Sequence, residues 1–334
     1  MHQMHGRSGA ERHARTVNGA LRVIGLVLVA ACGGGGSKPP PSADGGGGPP
    51  PSGWMVGPGG LIAAMPDGLS VQTRPSPTTH DLHSLVCVGH QLGWAAGDSG
   101  TIIATRDGGD HWSVQPTPTL SSLRALIFAD PAAGLAVGDG GTLLRTGDGG
   151  STWAAVASRV GSALRAVDFA SDRSRAWAVG DGGVVLRSSD GGASWTRISA
   201  PTKAALRAVR FADDALHGIA VGDEAIGTSD GGATWMALAQ PPAALNSLSV
   251  SGPRAVAVGA NGLIWRSADS GATWSQVSGP ANATLNSVGF SSDNPQFGWA
   301  VGNGGTFLVT DDGGTHFRSI ASGLSIDLES VEDL

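Results

Sequence analysis

From Trp54 onward the chain alternates apolar runs of three to six residues with clusters of turn-forming residues, and the pattern returns about every 40 positions. One period reads LRAVDF (164–169), AWAVGDGG (176–183), VVLRSSDGGASW (184–195) and TRIS. Runs this short, each bounded by Gly, Asp, Ser or Pro, predict strands; no stretch after Ala31 keeps a helical periodicity long enough for a helix. A Gly ends the small-apolar run at Gly57, Gly97, Gly138, Gly180, Gly222, Gly259 and Gly302. An Asp follows ten residues later at Asp67, Asp107, Asp148, Asp190, Asp269 and Asp312, whereas Asp230 in the fifth copy follows after eight, so that hairpin is two residues shorter. Five residues past the Asp stands Trp112, Trp153, Trp195, Trp235, Trp274 or Phe317; only the first copy departs, with Gln72.

Four strands per copy, named A (LRAVDF), B (AWAVG), C (VVLRSS) and D (WTRIS), predict an all-β, seven-bladed β-propeller of four-stranded blades over residues 54–334. A strands start at Leu82, Leu123, Leu164, Leu206, Leu245, Leu285 and Leu328. The repeats open at Trp54 on a B strand with no A before it and stop on an A strand with no B after it. The C-terminal strand is therefore expected to join the N-terminal blade and close the ring, removing two exposed edges.

The first 53 residues follow other rules. Residues 1–22 are polar with four Arg and one acid, residues 23–31 (VIGLVLVAA) are apolar, and Cys32 follows. Nine residues extend about 14 Å as a helix, under half of a bilayer core, so residues 1–31 read as a secretory signal. Residues 32–53 are a Gly/Pro-rich tether with nothing apolar to bury. The run Val29-Ala30-Ala31-Cys32 resembles the lipobox of bacterial lipoproteins. The resemblance implies lipidation of Cys32 and a protein exported and membrane-anchored in the bacterial envelope; Gly33 after the Cys implies the outer rather than the inner membrane.

Charge narrows the partners. Beyond residue 31 the chain carries 17 Lys and Arg against 26 Asp and Glu, which argues against nucleic acid or anionic lipid as a partner. The second Cys, Cys87, sits in an apolar run and is expected to be a small buried side chain rather than a disulfide partner. His80 and His83 have no known zinc spacing, so no metal or other cofactor is expected.

The segment SDGGASW (189–195) has the form of an Asp-box, or BNR repeat. Asp107, Asp148, Asp190, Asp230, Asp269 and Asp312 are expected to be structural, accepting backbone N–H groups and pinning a turn, while the box Trp packs between blades. Asp-boxes also occur in sialidases, which use a Tyr nucleophile; this chain has no Tyr. A glycosidase with two carboxylates would need acids such as Asp130, Asp168, Asp213 or Asp293 to converge across a cleft. The Asp-box xyloglucanases resemble two facing propellers, and one is present here.

Gly-Trp-Ala-Val-Gly, Gly-x-Leu-Leu-Arg-x-x-Asp-Gly-Gly-x-x-Trp and Leu-Arg-Ala-Val-x-Phe together are similar to the photosystem II assembly and stability factor family of thylakoids and chloroplast lumens, whose fold is a seven-bladed propeller. The likeness covers residues 54–334. It implies a non-enzymatic binding or scaffold protein, a monomer with a protein or peptide partner, assisting assembly or stability of a membrane or envelope protein. The alternative is a carbohydrate-binding or glycan-hydrolysing Asp-box protein. Nine of the ten Trp fall in slots the fold itself uses, leaving Trp265, which argues against a glycan platform.

One ring of equivalent positions is a candidate site. The second residue of the A strands reads His83, Arg124, Arg165, Arg207, Asn246, Asn286 and Glu329. Arg124, Arg165 and Arg207 on adjacent blades form either an arc that grips an anionic or peptide group or three local pairs with carboxylates such as Asp130, Asp168 or Asp213. A second set, Arg145, Arg187 and Arg266, is expected on the blade surface with its stems on neighbouring Trp rings.

Overall fold

The computed structural model describes residues 52–333 other than Ser171. The signal segment, Cys32 and the tether up to residue 51 lie outside the described residues. Seven four-stranded antiparallel sheets make the blades, each with its strands in the order A, B, C, D. Blade 1 is composite: Ser330–Asp333 is its A strand, followed by Gly53–Val56, Ile62–Met65 and Gln72–Arg74. Blades 2 to 7 begin with A strands Leu82–Val88, Leu123–Phe128, Leu164–Phe169, Leu206–Phe211, Leu245–Ser251 and Leu285–Phe290. Each A strand packs beside the next, and that of blade 1 touches those of blades 7 and 2, so the ring is closed.

Closure occurs where the repeat arithmetic put it. Val56 lies opposite Ser330 and Gly53 opposite Asp333. The closing strand starts two residues later than expected, at Ser330, although Glu329 N–H already donates to Val56 O at 3.0 Å. Blade 5 has the short hairpin, with Val221 directly opposite Ala225.

The core is divided into seven apolar layers, one at each blade interface, rather than gathered at the centre. Trp177 of blade 4 stacks on Phe211 of blade 5 at 3.5 Å, and Phe211 meets the box Trp235 edge-on at 5.8 Å. Trp94, Phe128 and Trp153 repeat this between blades 2 and 3. Trp265 stacks on the box Trp274 at 4.4 Å, so it too serves the fold. Cys87 is buried, as expected.

An innermost strand leaves one edge of backbone groups without a ladder partner, and burial would make that costly. Side chains from the preceding blade supply the missing partners. Ser84, Ser247 and Ser287 accept the N–H groups of Leu126, Val288 and Val331, and Asp168 accepts that of Phe211 at 2.8 Å. The axial channel is thereby lined with polar groups that hold adjacent blades together.

Candidate functional site at the channel mouth

The two ends of the ring are built by different local chemistry. At one end lie the Asp-box turns between strands C and D. In blade 4 the Ser188 hydroxyl donates to Asp190 Oδ1 (2.8 Å) and accepts Gly192 N–H (2.9 Å). Ser194 donates its N–H to Asp190 Oδ1 and its hydroxyl to Oδ2, at 2.8 and 2.6 Å. Gly192 needs its positive φ of 83°, and a Cβ there would strike Leu135 of blade 3. These bonds hold the Asp107, Asp148, Asp190 and Asp230 carboxylates down at about 2, led by the N–H and side-chain donors of the residue four positions on. Asp269 and Asp312 make the same turn, and both are lowered. His111 and His316 fill the slot of Ser194 in their own boxes, each with Nδ1 on the Asp.

The second arginine set belongs to this end, and here the expectation of stems on Trp rings is replaced by a specific bond. Arg145 Nε donates to Gly191 O, Arg187 Nε to Gly231 O and Arg266 Nε to Gly313 O, each reaching the box of the next blade at 2.9–3.3 Å. Gly231 O also accepts the Trp177 indole at 3.1 Å. A strand-C arginine and a strand-B tryptophan thus clamp one neighbouring carbonyl.

The other end is the channel mouth. After the Gly that ends strand B, the next N–H bonds the carbonyl preceding strand A: Asp181 to Ala163 at 3.0 Å in blade 4, with equivalents in blades 2, 3, 5, 6 and 7. The approach is so close that a Cβ at Gly180 would overlap Ala163 O, which accounts for the recurring Gly. The A strand answers with a β-bulge: Leu164 faces Gly180 but Ala166 faces Val179, leaving Arg165 as the extra residue. The same register shift frees His83, Arg124, Arg207, Asn246 and Asn286. Bulges re-aim side chains, and these six, with Glu329, all line one axial cavity.

The structure therefore brings Arg124, Arg165 and Arg207 together at one mouth, and each is paired. Their partners are not Asp130, Asp168 or Asp213 but the Asp that follows the strand-B Gly of the same blade. Arg124 holds Asp139 bidentately at 3.0 and 2.6 Å, Arg165 holds Asp181 at 2.9 and 2.8 Å, and Arg207 holds Asp223 at 2.7 Å. The correction has a simple cause: the backbone bond that creates the bulge also sets that Asp beside the bulged residue. Arg124 and Arg165 in turn hold Asp139 and Asp181 below the usual carboxylate range. His83 Nε2 continues the row, 2.8 Å from Asp98 and 3.3 Å from Arg124. Of the rejected partners, Asp130 fixes its own loop and binds Arg173, and Asp168 lies buried between blades 4 and 5.

Blades 6, 7 and 1 lack both halves of the pair. Asn246 donates to Leu285 O, and Asn286 to Leu328 O and Asn303 Oδ1. Burial raises Glu329, partly opposed by His83 and Arg124. Among the described residues no group of His, Cys, Asp and Glu is arranged to hold a metal, and no helix is long and apolar enough to cross a membrane.

Fold and boxes together define the class, a seven-bladed Asp-box propeller. Residues 110–204 match the sequence model of the photosynthesis system II assembly factor YCF48. A YCF48 structure bound to a D1 peptide superposes with a TM-score of 0.61 at 18% identity, covering 83% of this chain and 96% of that one. YCF48 from Cyanidioschyzon merolae gives 0.60 at 17%, covering 75% and 89%. The GH74 xyloglucanase from Xanthomonas campestris also gives 0.60, at 14% identity, but this chain spans 47% of its length. At these identities the likeness is one of fold. No curated protein matches the chain in sequence.

Proposed function

We propose that the protein is a non-enzymatic binding protein that takes a polypeptide segment of its partner at the channel mouth. One observation carries the reading. Seven equivalent bulge or strand-start positions converge on one opening, and their chemistry changes from blade to blade while the opposite end repeats itself. A YCF48 structure with a bound D1 peptide supports a peptide as the kind of partner. The half-exposed Arg–Asp pairs can be reopened at small cost by a peptide carboxylate or carbonyl. The work is placed at the bacterial envelope, with the domain held by lipid on Cys32 through the tether; the lipobox and the Gly/Pro run support this.

The test has two arms. Crosslinked pull-down of the full chain from native envelopes, beside Arg165→Gln, is expected to recover one protein partner that the variant loses. Robust turnover in a glycan hydrolase screen would replace the binding reading. For the anchor, Cys32→Ser is expected to abolish labelling by fatty acid and release the protein from membranes; a labelled variant refutes the anchor.

A further inference from the structure

The turn between strands B and C is built alike in blades 1, 4 and 7. The second residue after the strand-B Gly is Gly59, Gly182 or Gly304, at φ of 64°, 73° and 63°. In blades 1 and 7 a carboxylate takes the N–H of that glycine. Gly59 donates to Asp81 Oδ1 at 2.7 Å and Gly304 to Asp327 Oδ1 at 2.8 Å, each acid standing just before Leu82 or Leu328. The residue at that place for blade 4, just before Leu206, is Ala205. Gly182 is exposed, and its N–H has no acceptor among the described residues.

Blade 4 has positive charge where the other two have the acid. Gly182 and Gly183 line a groove of about 570 Å3 together with Arg197 of strand D and Thr202 and Lys203 of the loop to blade 5, and no acid lines it. Arg197 and Lys203 are exposed, and neither has an ion-pair partner among the described residues. The neighbouring Asp181 is occupied by Arg165 at 2.9 and 2.8 Å. The Thr202 hydroxyl accepts Ala204 N–H at 2.8 Å and keeps its own proton to donate.

The other blades do not repeat this groove. In blades 2, 3 and 7 the hydroxyl of Thr117, Ser158 or Ser322 bonds the turn carbonyl of Gly100, Gly141 or Gly305 at 2.6–2.7 Å. Ala200 stands at that place in blade 4. Blade 6 lacks both the acid and the hydroxyl, but residues 275–284, which lead to the next A strand, carry no charge. Exposed cations alone bind little; here they share a groove with a turn N–H that the same fold covers with a carboxylate elsewhere.

We propose that this groove takes an aspartate or glutamate side chain of the partner polypeptide, its carboxylate accepting Gly182 N–H with Arg197 and Lys203 as counter-ions. This rests on the reading of the mouth as a peptide site and adds a side chain that the bound segment carries. Gly182 follows Asp181, the partner of Arg165, so the groove opens at the rim of that mouth. Asp81 and Asp327 are built-in versions of the ligand.

The test uses the full chain at low salt, with N-acetylglutamate α-amide as probe and N-acetylglutamine α-amide as neutral control, read at the Gly182 amide by proton–nitrogen correlation NMR. A saturable shift of that amide is expected with the glutamate probe and none with the control. Arg197→Gln and Lys203→Gln are each expected to weaken the probe about threefold. Ala205→Asp, which copies the acid of the other two turns, is expected to weaken it about tenfold or more by filling the site from within. No shift in the parent, an equal shift with the control, or an unchanged affinity in both Gln variants overturns the inference, whether or not Ala205→Asp folds. Inorganic phosphate bound about tenfold more tightly than the probe would assign the groove to a free oxyanion and overturn it as well. Lys203 is the single lysine beyond Lys38, so carbodiimide coupling to the captured partner, followed by peptide mapping, is expected to join it to an Asp or Glu. A folded Ala205→Asp that captures the partner at the parental level sinks the groove and leaves the mouth standing. Failure to capture any partner while the glutamate probe binds removes the peptide site and keeps the groove as a carboxylate site.

Discussion

The two ends of this ring obey opposite rules. At the Asp-box end, six turns repeat nearly the same residues and the same Asp and hydroxyl hydrogen bonds; at the mouth, seven equivalent positions carry His, Arg, Asn or Glu and differ in what they pair with. In a repeat protein, sameness around the ring marks what every blade needs in order to fold. Divergence at a position that geometry keeps equivalent marks what one side does and another does not. The same Asp residue type illustrates both: Asp190 pins its own turn, whereas Asp181 holds an arginine over an opening.

The comparison can be broken in graded ways. Removing residues 328–334 strips the A strand from blade 1 and opens the ring. The expected result is aggregation or a fall in melting temperature of more than about 10 °C, and a truncated chain that melts like the parent would refute closure. Next, Trp177→Ala empties the stack on Phe211 and leaves the Gly231 carbonyl to Arg187 alone. Chemical denaturation is expected to show a loss of about 3–5 kcal/mol, with mouth binding unchanged once folded.

Acid sharpens the contrast further. The box carboxylates near 2 ionise more readily folded than unfolded, so their stabilisation is present above about pH 4 and is lost as pH falls toward 2. Asp190→Asn is expected to lower the melting temperature at pH 7 and to make stability less steep between pH 4 and 2. A variant with an unchanged acid limb would mean the box carboxylate contributes no linkage. The smallest stability effect belongs to the mouth. Arg165→Gln breaks a bidentate pair whose side chains are each 37% exposed, so the expected cost is below about 1 kcal/mol. A loss of several kcal/mol with intact partner binding would make the mouth arginines scaffolding.

Most of the architecture was legible because phasing carries it: Gly, Asp and Trp at fixed offsets give the blade, and the unmatched strands at the two ends give the count. The ring of second A-strand residues was legible for the same reason. Their partners were missed, although a signal was present. Asp follows the strand-B Gly at Asp98, Asp139, Asp181 and Asp223, in the four blades that carry His83 or an arginine, while Pro58, Ala260 and Asn303 follow it in the other three. Reading that covariation needs the backbone bond that brings the two positions together, and such a bond has no signature of its own. The hydroxyls at Thr105, Thr146, Ser188, Thr228, Ser267 and Thr310 were overlooked for a plainer reason: Ser and Thr are common in turns, and only burial shows that these cap a Gly N–H.

Gly53 stands opposite Met65, at the Asp-box end, and it begins a strand flanked on both sides by ladders, one to Ile62–Met65 and one to Ser330–Asp333. Any pull transmitted along the preceding segment loads those two ladders in shear, the direction in which many bonds must yield together. The final strand is thus also a mechanical latch. Were the proposed anchor to hold the domain through that segment, the Asp-box end would lie nearer the anchor than the arginine-lined opening.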